Sequence, residues 1–121
     1  MAARPIDDVY AIVREEMEKV LLAEGLPDVA PAYWVVVQDE QGVATSRLQE
    51  GDVAPTEVLH RLTHDNPGVT AAALVSYVRP HGEACLLAAV NVPNPGDSDV
   101  RSAPLVDRDD AVGLGPWHYT V

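Results

Sequence analysis

The longest apolar stretch of the chain, VTAAALVSYVRPHGEACLLAAVNV at 69–92, limits the possible folds more than any other feature. Two apolar runs flank a Pro-His-Gly segment at 80–82, a composition that favours a type I turn closed by a glycine at positive φ. The sequence therefore predicts a β-hairpin with a three-residue loop. In this hairpin Tyr77 faces Cys85 across the two strands.

Both faces of the predicted hairpin are apolar, which is typical of strands at the centre of a sheet that is covered on both sides. The helices and the C-terminal segment are one possible cover, and a second copy or another protein is the alternative. We therefore take Tyr77 and Leu87, which share a predicted face, as candidate interface residues, together with Trp34 and Trp117. That face carries Ala71, Ala73, Val75, Tyr77, Cys85, Leu87 and Ala89, and the other carries Ala72, Leu74, Val78, Ala84, Leu86, Ala88 and Val90.

The same stretch contains His81-x-Glu83, a spacing similar to the H-x-E of zinc-dependent nucleobase deaminases. Those enzymes place the motif at the start of a helix and complete the zinc site with a later P-C-x-x-C. Here Cys85 is the only cysteine of the chain, so no such segment can follow. The predicted hairpin instead makes His81 part of a loop and places Glu83 opposite Arg79 as a cross-strand ion pair.

The N-terminal half predicts a helix, a hairpin and a second helix. Apolar residues recur at helical spacing over 5–24, and Gly25 follows where a C-terminal cap belongs. The β-branched and aromatic run AYWVVVQ and the weaker VATSRLQ predict two strands joined by a loop at 39–42. A shorter helix is predicted at 55–65, ending before the Asn-Pro-Gly at 66–68.

The C-terminal part is rich in proline and aspartate, and it predicts loops around two short strands, APLV and WHYTV. The chain as a whole is expected to be one α+β domain over residues 1–121. Its predicted sheet is mostly antiparallel, with four to six strands and two helices in the order αββαβββ, and with WHYTV as a candidate further C-terminal strand. This order is similar to that of roadblock and longin-type small dimerising domains, a likeness that concerns the fold alone.

Composition excludes several classes of protein. The 121 residues include 19 acidic and 8 basic ones, for a net charge of −11, and the basic residues form no stripe, so we expect no nucleic-acid partner. No apolar run approaches the roughly 18 residues of a membrane span, so no membrane partner is expected either. The single cysteine and the absence of a signal-peptide pattern at the start favour the cytoplasm.

The nearest approach to a metal site is His60 and His64, four residues apart on the predicted second helix, with Asp65 beside them. Arg61 stands where metalloprotease helices carry a glutamate, and two histidines make only part of a site. The aspartates at 97, 99, 107, 109 and 110 do not follow the EF-hand spacing and are expected to be solvated turn residues. The sequence therefore assigns no metal, cofactor or catalytic residue.

The function expected from the sequence is that of a non-enzymatic protein-interaction module, most simply one that self-associates as a homodimer. The two-sided apolar hairpin and the incompleteness of every catalytic motif favour it. The alternatives are a small metal-dependent hydrolase using His60 and His64 with an acidic loop, and a small-molecule-binding domain with a pocket between the helices and the sheet.

Overall fold

The computed structural model describes residues 5–28, 32–48, 55–79, 82–93, 96–108 and 111–119. Within them it shows two helices and an open antiparallel sheet, which confirms the α+β class. The predicted four to six strands are too few, because the described part contains seven. The elements in chain order are α1 (Pro5–Glu24), β1 (Ala32–Asp39), β2 (Gly42–Leu48), α2 (Pro55–His64), β3 (Val69–Val78), β4 (Cys85–Val92), β5 (Asp97–Arg108), β6 (Ala111–Leu114) and β7 (His118–Tyr119).

The strands lie in the order β2-β1-β3-β4-β5-β6, and β7 also pairs with β5. Strands β1 and β2 form the predicted hairpin, with Asp39 opposite Gly42 at its turn. Strand β3 lies antiparallel to β1 on one side and to β4 on the other, so the apolar hairpin occupies the centre of the sheet, as the sequence predicts. No helix in the described part of the chain has the length and apolar character needed to cross a bilayer.

Helix α1 covers one face of the sheet. Its apolar residues at helical spacing are buried, and Gly25, at φ 75°, ends the helix with its N–H donating to the Leu21 carbonyl (2.9 Å), which confirms the predicted cap. The core between α1 and the sheet contains Ile6, Tyr10, Val13 and Met17 of the helix and Trp34, Val36, Ala73, Val75, Tyr77, Leu86, Ala88 and Val90 of the strands.

Helix α2 covers part of the opposite face. It packs chiefly on β3, and there Ala72 and Leu74 are buried outside the α1 core. Thr63 of α2 accepts a hydrogen bond from the Asn91 amide (2.8 Å), and Asn91 alternates along β4 with the core residues Val90 and Val92. The two helices therefore lie on opposite faces of one sheet.

The register of the central hairpin differs from the prediction. Cys85 pairs with Val78, and Tyr77 pairs with Leu86. The connection between the strands is longer than the predicted three residues, although Gly82 does take the predicted positive φ, at 83°. A slip of one residue exchanges the faces of one strand relative to the other. Tyr77 and Leu87 consequently lie on opposite faces, and the predicted pairing of Tyr77 with Cys85 is wrong.

The other difference lies in β5. The aspartates and proline of its first half predict a loop, yet residues 97–104 pair with β4 along its whole length. Beyond that point β5 pairs with β6, another segment predicted as a loop. The predicted C-terminal strand is present as β7, which pairs with Arg101 and Ser102. Proline and aspartate are tolerated here because β5 lies near the edge of the sheet.

Candidate functional site

The face of the sheet opposite α1, which we call the second face, carries no charged side chain over residues 33–37 of β1, 44–48 of β2, 72–78 of β3, 85–91 of β4 and 98–104 of β5. The charged residues in the middle of β2 and β5, Arg47, Asp99 and Arg101, all point towards α1. This distribution is notable in a chain of net charge −11. The second-face positions are Tyr33, Val35, Val37, Ala44, Ser46, Leu48, Ala72, Leu74, Ser76, Val78, Cys85, Leu87, Ala89, Asn91, Ser98, Val100, Ser102 and Pro104.

Helix α2 leaves the β4–β5 side of the second face partly accessible. Val78, Cys85, Leu87 and Ala89 are only partly buried, and Val100 is 37% exposed. These five residues are contiguous, because Val78 pairs with Cys85, Ala89 pairs with Val100, and Leu87 lies between them on β4. We call this surface the β4–β5 patch. Apolar side chains left partly open to water next to one another are characteristic of interaction surfaces.

Cys85 is a free thiol within this patch. Desolvation by its neighbours, followed by the charge of Glu83, raises the pKa of the thiol above its ordinary value. Because the thiolate is the reactive form, this environment makes Cys85 a poor nucleophile. The residue contributes apolar surface to the patch.

The most strongly connected polar group of the described chain is Arg101 on β5, whose side chain is only 9% exposed. It donates to a carboxylate oxygen of Asp7 (2.7 Å) and to one of Asp99 (3.1 Å). Its Nη2 also lies 3.0 Å from the hydroxyl of Tyr119. Its guanidinium carbon lies 4.2 Å from the ring centroid of Tyr10 and 4.5 Å from that of Tyr119. Arg101 thus joins α1, β5 and β7.

Tyr10 completes this cluster from α1. Its hydroxyl is within hydrogen-bond distance of the Ala88 carbonyl (3.0 Å) and the Asp99 carbonyl (3.1 Å). Burial, and next the hydrogen bond with Asp99, raise the pKa of Tyr10 far above its ordinary value. The phenol therefore stays neutral at any physiological pH. With the guanidinium of Arg101 held between two carboxylates, the cluster is suited to fixing α1 against the sheet rather than to binding a substrate.

The predicted interface residues occupy different environments. Trp34 and Tyr77 are core residues, each 2% exposed, and lie beneath α1. Trp117 is partly buried and donates its indole N–H to the Tyr10 carbonyl (3.1 Å). Leu87 alone lies on the β4–β5 patch. The structure therefore brings one of the four predicted residues to the accessible apolar surface, and the sequence missed its neighbours Val78, Ala89 and Val100 as interface candidates.

The predicted metal candidates lie together on the outer side of α2. The rings of His60 and His64 stack with centroids 5.1 Å apart and planes at 13°, and both residues are exposed, as is Asp65. Among the described residues there is no group of three or more potential ligands placed to hold a metal ion. His81, Asp109 and Asp110 lie outside the described residues. Asp97, Asp99 and Asp107 belong to β5, so the prediction that they are turn residues is wrong.

A cavity of about 410 Å³ opens where α1 ends beside β1 and β2. The guanidinium carbon of Arg47 lies 5.3 Å from the ring centroid of Trp34 in its wall, and the Trp34 indole N–H has no acceptor among the described residues. Glu24 and Asp28 also line the cavity. Both acidic residues are exposed.

Comparison with protein-family models, with curated proteins and with solved structures finds no match for this chain.

Proposed function

We propose that this chain is a non-enzymatic protein-interaction module that self-associates through the β4–β5 patch. The observation that carries the proposal is the uncharged second face of the sheet, whose β4–β5 half remains accessible beside α2. Covering it removes apolar surface from water, and apolar burial is the main favourable contribution in protein association.

A second copy fits this patch better than it fits the rest of the surface. Two chains of net charge −11 repel each other wherever their carboxylates approach. The β4–β5 patch itself contains no carboxylate, and Glu83 lies only at its Cys85 end, so two copies that meet around Leu87 oppose few like charges. A twofold arrangement places the same patch on both sides, and Leu87 near its centre can then pack against its symmetry mate.

The test is a pair of matched substitutions. Val100 and Val43 are both strand valines with 37% exposure, but Val43 lies on β2 opposite Gln38, on the α1 face of the sheet. Val100→Glu places a carboxylate in the patch and is expected to raise the dissociation constant of the dimer at least tenfold, because a buried unpaired charge is strongly unfavourable. Val43→Glu adds the same charge elsewhere and is expected to leave dimerisation within about twofold of the original.

Sedimentation velocity of both variants at several concentrations reads out the association directly. Circular dichroism of each variant confirms that the sheet remains folded. Equal association by the Val100→Glu variant and the original chain would contradict the proposed surface.

A further inference from the structure

The two edges of the sheet differ in how they are protected. At one edge, β6 and β7 are short strands of four and two residues. Pro104 lies in β5 beside them, and Gly115 packs closely against it. Short strands, irregularity and proline are the means by which proteins prevent further strand pairing. This edge is therefore protected against the addition of another strand.

The other edge, β2, lacks these features. Its seven residues pair with β1 in continuous register from Gly42 to Leu48, without a bulge, and contain no proline and one charged residue, Arg47. Five of the seven are exposed, and β1 is its only partner strand among the described residues. In an antiparallel pair, alternate residues of an edge strand direct their N–H and C=O groups away from the sheet. The outer side of β2 therefore offers a row of backbone donors and acceptors to an extended segment.

Carboxylates lie near both ends of this edge. Asp39 and Glu40 are exposed at the β1–β2 turn. At the other end, Glu24 and Asp28 line the 410 Å³ cavity together with Arg47. A strand added to β2 places one of its side chains beside Arg47, at this cavity. Two carboxylates outweigh one guanidinium there, and the whole chain carries −11, so the local and the overall charge both favour a basic side chain.

A second copy is a poor occupant of this edge. Antiparallel pairing of β2 with its own copy brings the turn of one chain, with Asp39 and Glu40, towards the end of the other chain that carries Glu24 and Asp28. Like charges brought together in this way oppose association. The edge and the β4–β5 patch are thus suited to different partners.

We propose that the outer edge of β2 binds, by strand addition, an extended segment of a partner protein that carries lysine or arginine at alternate positions. Main-chain hydrogen bonds to β2 supply affinity, and the carboxylates at its two ends select for basic side chains.

The test uses a fluorescently labelled nine-residue peptide of alternating threonine and lysine, with binding followed by anisotropy. A threonine–glutamate peptide tests the charge preference. A threonine–lysine peptide with methylated backbone amides tests the strand pairing, since it keeps the charge and loses the donors. Both are expected to bind at least tenfold more weakly than the parent peptide. Equal binding by the methylated peptide would mean that charge attraction alone accounts for the interaction. That result would overturn the proposal.

On the protein side, the double variant Glu24→Lys/Asp28→Lys is expected to weaken binding at least tenfold. Its matched control, Glu57→Lys/Asp65→Lys, changes the net charge equally at exposed positions on and just after α2, and is expected to change binding less than twofold. An equal loss in both variants, or no binding of the parent peptide, would overturn the proposal. The Val100→Glu variant is expected to bind the peptide normally, so failure of self-association and failure of the β2 edge are distinguishable.

Discussion

At the scale of single residues, Arg101 is the side chain whose removal is expected to lower the free energy of unfolding most. Replacing it with alanine leaves Asp7 and Asp99 without their shared cation and opens the space between Tyr10 and Tyr119. We expect Arg101→Ala to lower the free energy of unfolding by about 3 kcal/mol. Urea denaturation measures this loss, and Arg79→Ala, at an exposed arginine, should change stability by less than about 0.5 kcal/mol. Equal losses of stability in the two variants would show that the Arg101 cluster does not fix α1 against the sheet.

The raised pKa of Tyr10 leads us to expect a loss of stability at alkaline pH. Burial raises the pKa of Tyr10 in the folded state, whereas the unfolded chain releases this proton near pH 10. Above that pH the folded state binds more protons than the unfolded state, so stability falls as pH rises, by up to about 1.4 kcal/mol per pH unit. Urea denaturation between pH 9 and about pH 11 should show a steeper decline for the original chain than for Tyr10→Phe. Parallel declines would contradict the assignment.

The Arg101 cluster was not predictable from sequence. Its members come from α1, β5 and β7, and no local spacing relates Asp7 and Tyr10 to Arg101 and Tyr119. The β4–β5 patch was predictable in part, because the apolar character of both hairpin faces is visible in the sequence and Leu87 was among the candidates. The sequence does not identify Val100 as an interface candidate, because the aspartates and serines around it are typical of loops.

At the scale of elements, the junction between β6 and β7 depends on a glycine. A Cβ on Gly115 would lie 2.7 Å from the Cγ of Pro104, too close for an ordinary contact. We expect Gly115→Ala to lower stability by about 1–3 kcal/mol, because the proline ring or the strand must shift. Gly68→Ala is the control, since nothing lies within 4 Å of a Cβ built there. Thermal unfolding of both variants measures the difference, and equal midpoints would contradict this packing.

Local signals determined which elements were predicted correctly. The helical spacing of α1, its Gly25 cap and the β1–β2 turn depend on short-range chemistry, and all three were found where the sequence placed them. The register of the central hairpin depends on the length of its connection, which composition does not fix. Strand β5 is stabilised by its pairing with β4 across the sheet, and tertiary pairing of this kind overrides local preference.

At the scale of the whole molecule, the reactivity of Cys85 tests the proposed self-association. It lies in the β4–β5 patch and is only partly buried, so a second copy would cover it. We expect its reaction with a thiol reagent to slow as protein concentration rises in the original chain. In Val100→Glu the rate should not depend on concentration. If the rate of thiol modification is independent of concentration in both proteins, the β4–β5 patch remains exposed to solvent and is not covered by a second copy.

In the proposed dimer, two copies of this chain associate through the β4–β5 patch on the second face of the sheet. Light scattering across a concentration series, at moderate salt, measures the mass in solution without knowledge of any other partner. We predict a mass that approaches twice the 13.0 kDa of the chain as concentration rises. A mass that stays at 13.0 kDa throughout the series would contradict the proposed dimer.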